Sequence, residues 1–361
     1  MAKLGEVCLL KAGKFVSAND ISPEYNKGLY PCFGGNGIRG YVADYTHDGE
    51  FPLIGRQGAL CGNVNLASGK FHATEHAVVV QPKIEMNVHW LYYAINAMNL
   101  GQYATGAAQP GLAVSKLERL SIEIPNISEQ NKIAQTLYKV EQLVNFRKQQ
   151  LAKLDELVKA QFVEMFGDIN VNNKKWMTYP LGELCTIVRG GSPRPIERYL
   201  GGTIPWIKIG DATTGENIYL NSTKEYIIQE GVKKSRMIKA GSLIFANCGV
   251  SLGFARIITF DGCIHDGWLA MEDIDEKLDK IFLLYSLNQM TEYFRKTAPA
   301  GTQPNLNTNI MKMHRQIVPP MEMQKAFISF VKCADRQKQI VQQSLDKLEL
   351  MKKALMQEYF G

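Results

Sequence analysis

The stretch LAKL at 151–154 recurs as LDKL at 345–348, and the surrounding residues align at the same offset of 194 without a gap, 109–167 over 303–361. The matches run from Gln-Pro pairs near the start of each stretch to Phe-Gly at its end. One constant offset over so long a stretch indicates that the chain is an internal duplication. Each copy ends on a segment with the apolar spacing of a long helix.

Both helical segments carry apolar residues at the alternating four- and three-residue spacing of a coiled-coil seam. The first seam is Ile133, Leu137, Val140, Val144, Leu151, Leu154 and Val158. The second is Phe327, Val331, Val341, Leu345, Leu348 and Leu355, with Ala334 and Tyr359 in the same register. We therefore predict two long antiparallel helices that form a coiled coil. The alternative is two amphipathic helices, each packed on its own domain, but segments of this length far exceed the mean globular helix of about 11 to 12 residues.

Polar residues interrupt the two seams at different positions. Arg147 and Gln161 interrupt the first, whereas Lys338 and Lys352 interrupt the second. For the helix ends, Ser128 is the predicted N-cap of the first helix. A glycine follows the last apolar residue of each helix, as is typical of a helix stop.

The composition limits the class of protein. The chain has 361 residues, of which 45% are hydrophobic, and a net charge of +6, a mild basic excess that is weak evidence for a polyanionic partner. No apolar run is long enough to cross a bilayer, and we expect a cytoplasmic protein without membrane contact. The cysteines are scattered, and no Cys-x-x-Cys pair favours a disulfide framework or a zinc site. They are Cys8, Cys32, Cys61, Cys185, Cys248, Cys263 and Cys333.

The segments outside the helices have short β-branched runs broken by glycine, proline and asparagine, which is typical of mixed α/β domains. They open alike, with LGEVC at 4–8 and LGELC at 181–185, and then diverge. We predict a mixed α/β fold class with two globular domains separated by the two helices. The predicted boundaries are 1–125 for the first domain, 126–168 for the first helical region, 175–319 for the second domain and 320–361 for the second helical region.

This order of segments resembles the specificity subunit (S subunit, HsdS) of type I restriction-modification systems, over essentially the whole chain. The resemblance is carried by the Leu-Gly-Glu openings, by IPWI at 204–207, by GTQP at 301–304 with its weaker partner AAQP at 107–110, and by SEQ at 128–130. In that family two target-recognition domains alternate with two conserved helical regions.

The resemblance implies a non-catalytic subunit that reads double-stranded DNA with a bipartite site. Antiparallel homologous helices are expected to create a pseudo-twofold axis, with each domain reading one half-site and the helices setting a fixed spacer. The family's partners are two methyltransferase subunits (HsdM), which carry S-adenosylmethionine and modify adenine, and restriction subunits (HsdR), which use ATP and magnesium. We expect no cofactor to be bound by this chain itself.

Two motifs that resemble catalytic or metal sites have simpler explanations. GNGIRG at 35–40 matches Gly-x-Gly-x-x-Gly, but it follows YPCF rather than a buried strand and leads into a β-like segment, so we predict a turn. No phosphate-binding loop occurs, and neither does the Asn/Asp-Pro-Pro-Tyr/Phe motif of amino-methyltransferases. His72 and His76 are interpreted as hydrogen-bonded polar residues rather than metal ligands.

DNA contacts are predicted on glycine-flanked loops and basic clusters, because long polar side chains there can reach bases and phosphates. The candidates in the first domain are Asn36, Arg39, Arg56 and Gln57. Those in the second domain are Arg189, Ser192, Arg194, Lys208, Lys233, Lys234, Arg236 and Asn247. The Gln-Pro pairs at 109–110 and 303–304 are instead predicted to be structural, with the glutamine amide holding a turn.

Two other functions remain open from the sequence. A DNA-modifying enzyme, or its recognition half, would bind S-adenosylmethionine. A coiled-coil scaffold for proteins would not bind DNA at all.

Overall fold

The computed structural model describes residues 1–106, 110–213, 218–249, 251–299 and 305–361. The predicted structural role of Gln109 and Gln303 therefore lies outside the described residues. Internal contacts divide the chain into two units, one made of 1–148 and 343–361 and the other of 149–342. This division cuts through both long helices. The boundaries predicted from the sequence instead separate each helix from its domain, and they stay a prediction.

The first unit contains a globular domain of short strands and helices. Its elements are β1 (Ala2–Lys3), α1 (Leu4–Val7), β2 (Cys8–Ala12), β3 (Tyr30–Gly34), β4 (Gly37–Val42), β5 (His47–Gly55), β6 (Val64–Ala73), β7 (Ala77–Pro82), α2 (Val88–Ala97), α3 (Val114–Leu117) and β8 (Ser121–Ile122). Helix α4 (Ile127–Phe166) then begins in this unit. The main sheet has the order β2-β7-β5-β6-β3-β4, in which the β3–β6 pair is parallel.

The second unit contains the corresponding domain. Its elements are β9 (Thr178–Pro180), α5 (Leu181–Leu184), β10 (Thr186–Arg189), β11 (Leu200–Ile207), β12 (Tyr219–Leu220), β13 (Glu225–Ile227), α6 (Gln229–Val232), β14 (Arg236–Ile238), β15 (Leu243–Ala246), β16 (Ala255–Ile258), β17 (Gly262–Ile264), β18 (Trp268–Glu272), α7 (Lys280–Gln289), α8 (Thr291–Thr297), α9 (Thr308–Met313) and β19 (Arg315–Ile317), followed by α10 (Met321–Phe360). Strands β10-β18-β15-β16-β12 form one sheet and β13-β11-β17-β14 another.

The two domains share one strand plan despite their divergent sequences. The long strand β6 of the first domain pairs with β5 along one part and with β3 in parallel along another. In the second domain two shorter strands take these roles, because β16 pairs with β15 and β17 pairs in parallel with β11. The mixed α/β class with two repeated domains and two long helices is therefore confirmed.

Helices α4 and α10 each have 40 residues, the length expected from the sequence. In the first unit they run antiparallel, because Glu141 bonds to Lys352 at 2.7 Å and Lys148 to Glu349 at 2.9 Å. Arg147, which interrupts the first seam, donates from Nε to Ser344 Oγ at 3.1 Å. The polar interruption thus has a partner on the facing helix.

The second unit repeats this antiparallel packing with its own halves of the helices. Lys338, which interrupts the second seam, forms an ion pair with Asp155 of α4. The ring centroids of Phe162 on α4 and Phe327 on α10 lie 5.3 Å apart, and the rings of Phe166 and Phe282 lie 4.8 Å apart. These fully buried aromatic rings join both helices to the second domain's core, where burial of each contributes on the order of 1.5 to 3 kcal/mol.

Most of the predicted seam is buried. The buried members are Ile133, Leu137, Val140, Val144, Val158, Phe327, Val331, Val341 and Leu345. The partly exposed members are Leu151, Leu154, Leu348 and Leu355. Among the described helices, none is both long and apolar enough to cross a membrane.

The predicted helix ends are partly right. Gly167 has φ +79°, a left-handed conformation that favours glycine, and its N–H bonds to Val163 O at 2.8 Å, so it ends α4 as expected. The predicted N-cap, Ser128, is wrong, because Asn126 Oδ1 accepts the N–H of Glu129 at 3.0 Å. Two polar residues close together near the helix start left the cap position ambiguous in the sequence.

Candidate nucleic-acid interface

A three-residue turn, 74–76, joins β6 to β7 in the first domain and is held by backbone hydrogen bonds to neighbouring strands. The N–H of Thr74 donates to Phe33 O at 2.9 Å, and the N–H of Ala77 donates to Thr74 O at 3.0 Å. From the end of β2, Gly13 N–H donates to Ala77 O at 3.0 Å. We call this segment the first-domain turn.

The turn at 265–267, which joins β17 to β18 in the second domain, is held in the same way. The N–H of His265 donates to Ile207 O at 3.0 Å, and the N–H of Trp268 donates to His265 O at 3.0 Å. Gly190 N–H donates to Trp268 O at 2.9 Å. We call this segment the second-domain turn; it occupies the place of the first-domain turn.

Glycine is required where β2 and β10 approach these turns. A Cβ added to Gly13 would lie 2.0 Å from Ala73 O, and one added to Gly190 would lie 2.2 Å from His265 O. Both distances are far below any allowed contact, so no larger residue fits. Gly13 and Gly190, which each follow a Leu-Gly-Glu opening, therefore have equivalent roles.

The first-domain candidates lie on strand β4 and on two loops beside the first-domain turn. Asn36 is exposed in the two-residue turn between β3 and β4, where its Oδ1 accepts from Asn63 at 2.5 Å. This confirms the turn predicted for the Gly-x-Gly-x-x-Gly match, although the preceding YPCFG segment is a strand with buried residues, contrary to expectation. Arg39 is exposed on β4, where its side chain packs over Gly34.

Arg56 and Gln57 follow β5 and come close to the same turn. Arg56 N–H donates to His76 O at 3.0 Å, while Gln57 is exposed. A Cβ on Gly55 would lie 1.9 Å from Gly35 O, so glycine allows the loop after β5 to touch the turn between β3 and β4. The structure thus brings all four first-domain candidates to one region.

One residue in this region, Glu75, was missed by the sequence analysis. Glu75 Oε1 lies 3.1 Å from His76 Nε2 at the tip of the first-domain turn. Burial raises the pKa of the Cys32 thiol, the charge of Arg39 lowers it, and the Glu75 carboxylate raises it again. The charges of Arg39 and Glu75 therefore both act on Cys32.

Several second-domain candidates lie beside the second-domain turn. Ser192 Oγ donates to Asp266 Oδ1 at 2.8 Å, and Arg189 Nε donates to Asp266 O at 2.9 Å. Burial lowers the pKa of His265, and the charges of Lys208, Arg194 and Arg189 lower it further, against the opposite effect of Asp266. The charges of three predicted basic candidates therefore act on this histidine.

Lys208 is half-buried, whereas the remaining basic candidates, Lys233, Lys234 and Arg236, are exposed. Lys208 pairs with Glu225, Lys234 Nζ donates to the Tyr199 hydroxyl at 2.6 Å, and Arg236 Nε donates to the carbonyl of Arg189 at 3.0 Å. Lys233 is exposed on the segment before β14. Their ammonium and guanidinium groups lie at the surface, where phosphate contacts would form.

Asn247 is the one candidate without exposed surface. Its side chain is fully buried and donates from Nδ2 to Asn305 Oδ1 at 3.2 Å. Its backbone N–H bonds to Gly267 O at 3.0 Å, as that of Arg56 bonds to the first-domain turn. We therefore correct the prediction for Asn247: in this position it supports the second-domain turn and has no surface to offer a base.

The residues that sequence reasoning missed are Glu75, His265 and Asp266. A signal for them existed, because each of the strand-to-strand segments 71–80 and 262–271 contains one acidic residue with a histidine beside it. That signal becomes specific only when the strand pairing shows that the two segments correspond.

The histidine and cysteine predictions can also be compared with the structure. The ring nitrogens of His72 lie 3.3 Å from Asp44 O and 3.2 Å from Lys14 O, which agrees with a hydrogen-bonded polar residue. Within the described ranges, no group of three metal-ligating side chains occurs. All the cysteines are free, and burial raises the pKa of Cys8 to about 11, which disfavours a reactive thiolate.

Comparison with known families agrees with this duplicated architecture. A family model described as the type I restriction modification DNA specificity domain matches residues 1–156 and 173–350. The chain belongs to this family. Each matched range contains one domain and most of the long helix that follows it, so the family repeat coincides with the duplication seen in the sequence.

Relatives with this description cover different shares of the chain. The EcoprrI specificity subunit of Escherichia coli is 52% identical over 143 residues, which are 39% of this chain and 36% of that subunit. A putative type I restriction enzyme specificity subunit of Haemophilus influenzae, S.HindORF215P, is 26% identical over 324 residues, 84% of this chain and 80% of the relative. The chain thus aligns with only about a third of the first relative and with most of the second.

Two solved structures have the same fold. The S subunit of a type I restriction-modification system from M. genitalium matches with a TM-score of 0.62 at 17% identity, covering 99% of this chain and 95% of that one. A chain from a study of complex assembly and conformational transition of the type I system matches with a TM-score of 0.60 at 15% identity, covering 99% and 96%. At such low identity the likeness concerns the fold alone.

Proposed function

We propose that this chain is the DNA specificity subunit of a type I restriction-modification complex, in which each domain reads one half of an asymmetric bipartite site. The observation that carries the proposal is the repetition of one backbone frame around two turns whose side chains differ, Thr-Glu-His at 74–76 and His-Asp-Gly at 265–267. Two domains with the same backbone frame but different side chains at the turn fit two half-sites of different sequence.

The basic groups around these turns support a nucleic-acid ligand. Arg39 is exposed near the first-domain turn, and Arg189 and Arg194 are exposed near the second. Guanidinium groups bind phosphate oxygens and guanine edges, and phosphate contacts position a protein on duplex DNA. A protein scaffold without DNA binding gives no reason for such groups to gather at equivalent places in both domains.

The long helices supply surfaces for two copies of one partner. Phe146 on α4 is 69% exposed, and Ile340, its equivalent on α10, is 56% exposed. Leu157 and its equivalent Met351 are also exposed, at 49% and 42%. Apolar side chains at repeated exposed positions outside the seam favour a docking surface that occurs twice. We assign it to the methyltransferase subunits, with restriction subunits added in the complete complex.

The chemistry of modification belongs to the partners in this proposal. The methyltransferase subunits bind S-adenosylmethionine and transfer the methyl group, restriction subunits use ATP and magnesium, and this chain provides recognition in the cytoplasm. An isolated chain that bound S-adenosylmethionine would favour the rival enzyme function instead.

Methylome sequencing of the host with and without this chain tests the proposal. We expect a bipartite motif, two defined half-sites around a fixed gap, that is methylated only when the chain is present. A methylome that is unchanged by deletion, with a methyltransferase partner encoded and expressed, would contradict the proposal. A gel shift with random duplex at low salt then distinguishes a chain that binds DNA non-specifically from a protein scaffold that does not bind DNA.

A further inference from the structure

We infer that the first-domain turn and the second-domain turn are the base-reading elements, with Glu75 and Asp266 each selecting a base that presents an exocyclic amino group, cytosine above all. This inference deepens the proposed function and rests on it. Carboxylates accept a hydrogen bond from cytosine N4 in the major groove, whereas guanine O6 and thymine O4 offer only acceptors there.

The first argument is that the frame is constant and the side chains vary. Backbone bonds hold the two turns at the same three points, and Gly13 and Gly190 each press on the turn from the same side. A reading element needs a fixed backbone so that its side chains reach base edges at a set position. Different side chains on one frame then give different half-sites.

The second argument is that the acid is at the equivalent position of both turns with the same accessibility. Glu75 and Asp266 are the central residues, and their side chains are 35% and 34% exposed. About a third of each side chain is therefore exposed, while one carboxylate oxygen of Glu75 lies 3.1 Å from His76. Asp266 is fixed by Ser192, whose hydroxyl donates to it at 2.8 Å.

Unpartnered polar atoms at the first-domain turn supply the third argument. Within the part of the chain that the structure describes, Thr74 Oγ1, Glu75 Oε2, His76 Nδ1 and Arg56 Nε are buried and have no hydrogen-bond partner. Thr74 is fully buried, as Asn247 is in the second domain, so its own hydroxyl presents no surface to a base. Several unpartnered donors and acceptors in one place are costly unless a ligand completes them, and a base edge offers both donors and acceptors.

A carboxylate that faces DNA requires nearby positive charge, because phosphates repel it. Arg39 provides that charge in the first domain, where it acts on the same Cys32 thiol as Glu75, and Arg189 provides it in the second, where it donates to the carbonyl of Asp266. The acid then acts mainly by rejection: a base that presents an acceptor to it is disfavoured twice, by repulsion and by an unpaired buried group. The lysines at 233 and 234 are exposed and fit phosphate contacts better.

The test uses the full chain together with its methyltransferase partner and measures which sites are methylated in the host. Asp266→Asn retains the acceptor for Ser192 but adds an amide donor, and Glu75→Gln changes the first-domain turn similarly. We expect Asp266→Asn to relax or change one base position in one half-site only, by about tenfold or more, and Glu75→Gln to affect only the other half-site.

The controls are matched acids outside the turns, Asp261→Asn in the second domain and Glu85→Gln in the first, both exposed; they should leave the motif unchanged. Thermal melting of each purified variant identifies misfolding, and Asp266→Ser replaces Asp266→Asn if the latter unfolds. Complete loss of methylation, with normal melting and normal binding to random duplex, supports the inference because only specific recognition is lost.

An unchanged motif for folded Asp266→Asn and Glu75→Gln overturns the inference while leaving the proposed function intact. A wild-type chain that directs no bipartite methylation contradicts the proposed function itself. The two failures are therefore distinguishable in the same experiment.

Discussion

Gln130 and Gln324 make the same two hydrogen bonds in the two copies of the repeat. Each buried amide accepts a backbone N–H at the start of a domain helix, Asn87 at 2.9 Å or Asp279 at 2.8 Å, and donates to a proline carbonyl at 2.8 Å. Replacing Gln324 by leucine leaves the N–H of Asp279 unpaired. We expect a loss of about 2 to 4 kcal/mol in the free energy of unfolding, measured by urea denaturation.

The matched control is Gln337→Leu, an exposed position on the same helix, which should change stability by less than about 0.5 kcal/mol. Equal effects at positions 324 and 337 would contradict the role assigned to the buried amide. The sequence shows that Gln130 and Gln324 are equivalent, because they align at the offset of 194. It does not show which backbone groups their amides bind.

Glu141 accepts from two groups: its Oε1 pairs with Lys352, and its Oε2 accepts a hydrogen bond from the Tyr93 hydroxyl at 2.8 Å. Glu141→Ala therefore removes the acceptor of two groups at once. We expect a loss of about 1 to 3 kcal/mol, whereas adding Lys352→Met to that variant should recover part of it, since no unpaired ammonium is then left. A double-mutant cycle measures the coupling, and strict additivity would contradict this account.

Salt dependence tests the phosphate contacts predicted for the exposed Arg194. Arg194→Ala should weaken binding to duplex DNA of any sequence and make the slope of log K against log salt shallower by about 0.9. Lys239→Ala is the control, because its side chain is 80% exposed but already pairs with Asp261. Identical slopes for wild type and Arg194→Ala would show that Arg194 makes no phosphate contact.

His314 makes the stability of the chain depend on pH. Burial lowers its pKa from 6.5 to about 4, and its Nε2 has no partner among the described residues. Below pH 6.5 the unfolded chain binds a proton that the folded chain resists, so stability falls as the pH drops towards 4, by at most about 1.4 kcal/mol per pH unit. His314→Phe should flatten this dependence.

Urea denaturation at several pH values measures that change, and the pH 8 value serves as the internal reference because the titration contributes nothing there. The backbone carbonyl of His314, which accepts from Leu181 N–H at 2.8 Å, remains in the variant. An unchanged slope between pH 4 and 6.5 would assign the acid sensitivity to other groups.

The helices could be predicted from the sequence because their determinants are local and repeated. The four- and three-residue spacing identifies the apolar stripe of the first helix. The offset of 194 residues then locates the same stripe in the second helix. The facing partners of the seam charges, such as Asp155 for Lys338, could not be predicted, because the axial register of two helices depends on the packing of both domains. The N-cap was misplaced for a smaller reason, since Asn126 and Ser128 both suit that position.

The residues of the proposed interface could be named only in part from the sequence. Arg39 and Arg56 were named because glycines flank them, and they stay predictions, whereas Glu75 and Asp266 are each the one acidic residue of a short turn between two strands. Their equivalence depends on pairing between strands far apart in the chain, for example β2 with β7. Asn247 was misjudged because its sequence neighbourhood gives no sign that Asn305 covers it.

Phe146 and Ile340 give the sharpest test of two equivalent docking surfaces. An aspartate at either position places a charge where the partner would bury an apolar side chain, which is costly without a compensating pair. We expect Phe146→Asp and Ile340→Asp each to lose one of two methyltransferase copies, and the double variant to lose both, as measured by native mass spectrometry. Val171→Asp, at a residue that is 70% exposed outside the helices, should retain both copies. Two bound copies in the double variant would place the docking surface elsewhere on the chain.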